Sequence, residues 1–290
     1  MIKDFEYFAP KTLKEALTLL NKYQDEGKVI AGGQSLLILM RQGLVAPPYL
    51  IDIKGISELS YIKSDKDGLK IGALTTHRQV EKSPKMRDGL VVLAEMENRL
   101  ASIQTRNWGT IGGNLCHGEP AGDPAPVLIA LNATLKMASL KGERTIAVEN
   151  FFLDYFETAL EPGELLTEIV IPPVPPRTGT AYTKFNVIES DLATVGVAVS
   201  ITLGSGDGVC QDVRIALGAS APTPIRAKQA EAALKGKKIT DNLLTEAGEI
   251  ASTEAEPISD IYASEEYRRE LVKVLVRRMG KEALTRAKQA

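Results

Sequence analysis

Two short stretches of the chain carry residue types suited to chemistry. Residues Ala31–Ser35 read AGGQS, and Thr110–Asn114 read TIGGN. Each holds a Gly-Gly pair followed by a small polar side chain, and each borders a short apolar run. Adjacent glycines reach positive φ and carry no Cβ, so successive backbone N–H groups can converge on one anion. A single loop of this kind reads first as a tight strand turn. Two of them, flanked by hydroxyl and amide side chains, suit a diphosphate gripped from both sides.

Other candidate groups are sparse. Cys116 and Cys210 are the two thiols, and His77 and His117 the two imidazoles. Two cysteines cannot ligate an iron–sulfur cluster or a structural zinc ion, and Cys116-His117 offers two ligands at most, so no metal is expected on this chain. A net charge of −2 gives no basic field for nucleic acid. With 5% aromatic residues, base-stacking platforms are not expected either. No apolar run reaches membrane-spanning length, and Met1–Pro10 is charged without an apolar signal core, so the expected location is the cytoplasm. A disulfide is not expected there.

The elements that must position the two stretches can be read from pattern. Thr12–Asn21 reads as an amphipathic helix, with Thr12 and Glu15 as a capping box. A short strand, Lys28–Ala31, runs into AGGQS, and a helix begins at Leu36; strand, glycine turn and helix start make an anion seat. No G-x-G-x-x-G occurs, which argues against an ordinary nicotinamide-binding fold. Strands are expected at Tyr49–Ile53, Tyr61–Ser64, Leu69–Ile71, Ala133–Ser139, Arg144–Val148 and Leu165–Ile171, and helices at Val91–Leu100 and from Val127. VPPRTG at Val174–Gly179 marks a boundary. Beyond it come strands Ala181–Asn186, Val195–Leu203 and Cys210–Gly218, then helices Arg226–Leu234, Leu243–Ala251 and Glu265–Lys288. That order predicts a small α+β domain. The last helix is rich in Arg and Lys from Arg268 to Lys288, which reads as a solvated face.

In this setting the motifs resemble one family. AGGQSLL at Ala31–Leu37, RNWGTIGGNL at Arg106–Leu115, GDPAP at Gly122–Pro126 and EPGELLTEIVIP at Glu161–Pro172 occur in order along nearly the whole chain. Together they are similar to the FAD-binding medium subunit of the molybdenum hydroxylases, the group of carbon monoxide and xanthine dehydrogenases. The resemblance implies an α+β fold of the vanillyl-alcohol-oxidase (PCMH) type in two lobes, residues 1–55 and 56–175. A C-terminal α+β domain, residues 176–290, completes the chain, with a three-stranded antiparallel sheet plus helices.

The same resemblance assigns the site. Ala31, Gly32, Gly33, Gln34 and Ser35 would cradle the FAD diphosphate from one side, and Gly112, Gly113 and Asn114 from the other, with Thr110 adding a hydroxyl. Gln34 stands where the family often has His. Asp123 would approach the FAD sugar hydroxyls, and an acceptor-only carboxylate suits them. Thr75 and Leu166 fall where the family touches FAD with small or apolar groups. Lys184 matches a lysine near the isoalloxazine, where a fixed cation would favour the anionic reduced flavin. Leu192 departs from the family, replacing an aromatic residue that can shield one flavin face.

For function, the resemblance implies an oxidoreductase subunit with no catalytic acid, base or nucleophile of its own. It would carry FAD and pass electrons from [2Fe–2S] clusters on a small partner chain to an acceptor. Substrate would be oxidised at a molybdenum–pterin centre on a large partner chain, and the family implies a dimer of heterotrimers. The rival readings are a stand-alone flavin oxidase of the same fold and a flavin-free structural subunit.

Overall fold

The computed structural model describes residues 2–188, 190–206 and 208–290. The first segment alternates strand and helix: β1 (Glu6–Phe8), α1 (Leu13–Tyr23), β2 (Gly27–Ile30), α2 (Leu36–Gln42) and β3 (Tyr49–Asp52). The strands form a parallel sheet in the order β1-β3-β2, since helical crossovers return the chain in the same direction. Thr12 caps α1 by accepting from Glu15 N at 3.2 Å, while the Glu15 carboxylate accepts from Lys11 N at 2.7 Å. The box therefore closes one residue earlier than a Thr12–Glu15 pair would. Ala16, Leu17 and Leu20 of α1 pack with Ile51, Ile53 and Ile56.

A five-stranded antiparallel sheet comes next, in the order β4-β5-β10-β6-β7. Its strands are β4 (Ile62–Asp65), β5 (Gly68–Gly72), β6 (Thr134–Ser139), β7 (Gly142–Ala147) and β10 (Leu165–Ile171), and β8 (Phe152–Asp154) and β9 (Glu157–Thr158) form a separate hairpin. Between β5 and β6 the chain makes the helices α3 (His77–Lys82), α4 (Val91–Arg99), α5 (Ile103–Trp108), α6 (Ile111–His117) and α7 (Pro124–Ala130). These pack on one face, with Leu93, Met96, Ile111 and Leu128 against Ile71, Leu135, Met137 and Ile169. The last of them starts at Pro124 rather than Val127, because proline's fixed φ suits the first helical turn.

The C-terminal part has β11 (Thr178–Phe185), β12 (Val195–Leu203) and β13 (Cys210–Gly218), the three expected strands, joined by a two-residue β14 (Ile225–Arg226). Helices α8 (Lys228–Leu234), α9 (Asp241–Glu254) and α10 (Glu265–Gln289) cover one face of this antiparallel sheet. The opposite face is also buried: Tyr182, Ala198 and Ala216 join the core of the preceding sheet and its helices. Burial on both faces explains why β12, VGVAVSITL, is apolar almost throughout rather than alternating. The basic helix α10 is not simply a solvated face. Arg268 is buried, and Arg269, Lys273, Lys281 and Arg286 are paired with carboxylates.

Candidate cofactor site

Strand β2 delivers the chain into Ala31–Ser35 at the start of α2. Gly33 has φ +71°, the left-handed conformation that turns the strand into the helix. Of the four glycines in the two motifs it alone takes positive φ. Gly32 is required for another reason: a Cβ there would collide with the Trp108 carbonyl oxygen at the end of α5. Among the described residues, the N–H groups from Gly32 to Leu36 donate to no protein acceptor. The Gln34 amide donates to the Gly32 carbonyl at 3.1 Å, and the Ser35 hydroxyl makes no cap bond. A run of half-buried, unengaged donors is an anion-binding concavity.

The second stretch differs from its expected form. Thr110 caps α6, its hydroxyl accepting from Gly113 N at 3.1 Å. Gly112 and Gly113 thus open a helix rather than lie in a loop. The donors of this turn are engaged within the protein: Ile111 N with Thr75 O, Gly112 N with Ala73 O and Asn114 N with Thr110 O, each at 3.0 Å. The arrangement is one backbone nest facing a helix start, not two nests. What this side offers is space and side chains. Gly113 is exposed, and a Cβ on it would sit 3.7 Å from Ala31 Cβ, so the two motifs face one another. Half-buried Asn114 places its Oδ1 beside Gly122.

A bulge in β10 seats that helix. The register of β10 against β6 shifts between Leu166 and Glu168. The freed Thr167 carbonyl accepts from Ala73 N at 2.9 Å, and the Ala73 carbonyl accepts from Gly112 N. Gly112 lacks a Cβ because Ala73 Cβ would lie 2.6 Å from it. Thr75 is buried, its hydroxyl bonded to both the N–H and the carbonyl of Tyr61. Leu166 is a core residue, packed with Ile169 and Met137.

Asp123 and Lys184, expected at different parts of the cofactor, meet in the structure. The Lys184 ammonium donates to Asp123 Oδ2 at 2.7 Å and to the Asp191 carbonyl at 3.0 Å. The Tyr182 hydroxyl donates to Asp123 Oδ1 at 2.6 Å. All three side chains are buried. Burial pushes the Asp123 carboxyl above its usual range, with Lys184 and the hydrogen bonds opposing it, and lifts the Tyr182 phenol well above its own. The cluster joins α7 to β11, and so links the helical layer to the C-terminal sheet.

Sequence reasoning missed the buried pair beneath the second stretch. His77 N donates to the Gly109 carbonyl at 3.0 Å, and its Nδ1 lies 2.8 Å from Glu97 Oε2. Glu97 is fully buried, and its Oε1 has no partner among the described residues. Arg106 is held by the Leu100 and Ala101 carbonyls and by Glu81. No local pattern announces these groups, since Glu97 simply succeeds Met96 on the inner side of α4. Burial pushes the Cys116 thiol up to about 12, so it stays protonated at neutral pH. No cluster of three or more His, Cys, Asp or Glu side chains suited to a metal occurs among the described residues.

An open backbone nest, a facing helix start and a buried Asp–Lys–Tyr cluster between the helical layer and the C-terminal sheet suit a protein that holds a diphosphate-bearing cofactor. Comparison with known proteins specifies the group. Residues 3–174 match the FAD binding domain in molybdopterin dehydrogenase, and residues 180–283 match the CO dehydrogenase flavoprotein C-terminal domain. The carbon monoxide dehydrogenase medium chain of Hydrogenophaga pseudoflava is 36% identical over 274 residues, 94% of this chain and 95% of that one. The glyceraldehyde dehydrogenase medium chain of Sulfolobus acidocaldarius is 34% identical over 279 residues, 96% of this chain and 98% of that one. The solved carbon monoxide dehydrogenase from Hydrogenophaga pseudoflava superposes with a TM-score of 0.95 at 37% identity, covering 99% of each chain. The chain belongs to the FAD-binding medium subunits of the molybdenum hydroxylases, and is an oxidoreductase subunit whose cofactor is FAD. No helix among the described residues is long and apolar enough to cross a membrane.

Proposed function

We propose that this chain is the electron-transfer subunit of a cytoplasmic molybdenum-containing hydroxylase or dehydrogenase. It holds FAD between the [2Fe–2S] clusters of a small partner chain and an electron acceptor. A large partner chain carries the molybdenum–pterin centre, and the assembly is a dimer of heterotrimers. Residues 1–55 and 56–175 form the two lobes around the cofactor, and residues 176–290 close the site. FAD supplies one- and two-electron redox chemistry when bound. The protein's own part is to bind and orient. The N–H groups of Gly32 to Leu36, with the side chains of Gln34 and Ser35, take the diphosphate charge. Thr110 and Asn114 lie on the facing helix start, and Ala31, Gly112 and Gly113 keep the gap clear. Asp123, Lys184 and Tyr182 fix the boundary near the flavin end, while Thr75, whose carbonyl accepts from Ile111 N, and Leu166, in the core at the β10 bulge, support the facing helix start.

The observation that carries this reading is the run of unengaged donors from Gly32 to Leu36 opposite exposed Gly113. The test is native purification and a visible absorption spectrum, followed by denaturation. FAD released on denaturation, together with broad iron–sulfur absorbance from co-purified chains, supports the proposal. Flavin that stays attached after denaturation would favour a stand-alone oxidase. A colourless chain that FAD does not reconstitute would overturn the proposal.

A further inference from the structure

The buried His77–Glu97 pair lies under the place where the two motifs meet. His77 N donates to the Gly109 carbonyl and Ile111 N to the Thr75 carbonyl, which stitches the start of α3 to Gly109–Ile111. Thr76 and Thr110 form the bridge between these bonds. A Cβ on Gly109 would lie 3.1 Å from His77 Cδ2 and 3.4 Å from Gln34 Cγ. The imidazole edge and the Gln34 side chain of the nest therefore converge on the spot that glycine leaves empty. A Cβ on Gly32 would in turn lie 2.7 Å from Gly109 Cα. Gly109 adjoins both the ring and the nest.

The pair can carry its protons in few ways. His77 Nδ1 faces Glu97 Oε2 at 2.8 Å, while Nε2, the ring atom bonded to Cδ2, has no partner among the described residues. Glu97 Oε1 has none either, and the two side chains are 3% and 0% exposed. Two arrangements make the pair neutral: a carboxylate with an imidazolium, or a carboxylic acid with an imidazole. Both place a hydrogen on Nε2, because Nδ1 is taken up by the bond to Glu97. Removing one proton leaves a carboxylate, a hydrogen on Nδ1 and a bare Nε2. The pair then carries a full buried negative charge, and the open nitrogen changes from donor to acceptor.

The charged groups on the elements packed around the pair are themselves paired. Arg106 of α5 is bonded to Glu81 of α3, which also pairs with Arg78 and Lys82 of that helix. Asp123 at the start of α7 is bonded to Lys184 and Tyr182 of β11. Burial pushes the Glu97 carboxyl above its usual range, with His77 and Arg106 opposing the shift and Asp123 adding to it.

We propose that the His77–Glu97 pair regulates FAD retention through one proton: the neutral pair supports the bound cofactor, and loss of its proton loosens the site. The inference rests on the FAD site proposed above. Both are positioning residues that act through Gly109. A diphosphate in the nest disfavours a second, poorly screened negative charge beneath it. Binding therefore draws a proton from solvent onto the deprotonated pair. Affinity is highest at low pH, falls as pH rises through the titration of the free pair, and levels off above that of the bound one.

The test strips FAD from the full chain and titrates it back by flavin fluorescence, across the pH range in which dichroism shows an intact fold. Wild-type affinity is expected to fall by up to about tenfold per pH unit, the slope of one linked proton. Calorimetry in buffers of different ionisation enthalpy should show proton uptake on binding. Glu97→Gln keeps the side-chain shape and removes the titrating carboxyl. It is expected to flatten the slope and to hold FAD more tightly than wild type at the alkaline end, a gain that a packing role would not give. Should Glu97→Gln fail to fold, wild-type proton uptake carries the expectation by itself. A flat wild-type profile without proton uptake, or a slope that Glu97→Gln leaves unchanged, would overturn the inference. FAD affinity that Gly113→Val leaves intact would instead count against the site itself, while the wild-type profile still reports on the proton.

Discussion

Gly113 and Lys184 show how far a residue's role depends on its neighbours. Gly113 has helical backbone, so left-handed φ is not what a side chain would disturb. A Cβ there would lie 2.7 Å from the Thr110 hydroxyl and project toward Ala31. Gly113→Val is therefore expected to abolish FAD binding while the fold persists, because the site is exposed. Flavin absorbance against a far-ultraviolet dichroism spectrum checks this, and full occupancy would remove the facing-motif argument. Lys184→Met leaves the buried Asp123 carboxylate uncompensated, at a cost of about 3–5 kcal/mol. Denaturant unfolding should show that loss, and Asp123→Asn combined with Lys184→Met should recover much of it. Glu97 gives a pH signature. Burial holds its folded pKa above the ordinary 4.5, partly opposed by His77. A raised carboxyl contributes stability that is present below the ordinary value and lost as pH rises toward the folded one. Wild type should therefore lose stability relative to Glu97→Gln as pH rises above the ordinary carboxyl value of 4.5. A constant difference above that value would show that Glu97 does not hold its proton.

Elements were legible where one periodicity ruled. The first helix, the Asp-Gly hairpin at Asp65–Gly68 and the long strands of the last sheet can be read from caps, turn residues and apolar runs. The helix start at Thr110 was not, because two adjacent glycines score as a loop by propensity. Tertiary contacts overrode that preference: the bulge at Thr167 presents Ala73, Ala73 accepts from Gly112, and only glycine lets the helix come so close. Sequence could thus nominate the motif residues of the candidate site, while the contacts they make in the fold could not be read from it. Nor could the Asp123–Lys184 contact, since nothing local ties α7 to β11. The cap itself is testable. Thr110→Ala should cost about 1 kcal/mol, and hydrogen exchange should quicken first in α6. Exchange that quickens uniformly would mean the cap is not what holds α6.

Across the whole molecule, packing rather than surface charge joins the parts. Arg286 on α10 reaches Glu95 on α4 at 2.8 and 3.0 Å, yet both side chains are partly exposed, so the pair contributes at most about 1 kcal/mol. Gly179 lies directly under α10, and a Cβ there would collide with the Ala283 carbonyl oxygen. Gly179→Ala should destabilise the chain more than Arg286→Ala, read from thermal unfolding of the two variants. The reverse order would place the bond between the layers at the surface.

Helix α7 has a further consequence. It precedes the Pro-rich link at Val174–Gly179 in sequence, yet Pro126 presses on Gly218, where a Cβ would come within 2.8 Å of its ring. Around it, small side chains at Ala198 and Ala216 complete one shared core. The two halves are therefore poor units of exchange between relatives. A chimaera spliced at the link would pair one parent's α7 with the other's sheet, and would fold well only where the parents share the residues facing each other there. Sequence drift in this lineage should accordingly be correlated across the link at these positions, and recombinants that survive should carry α7 along with the sheet it fills.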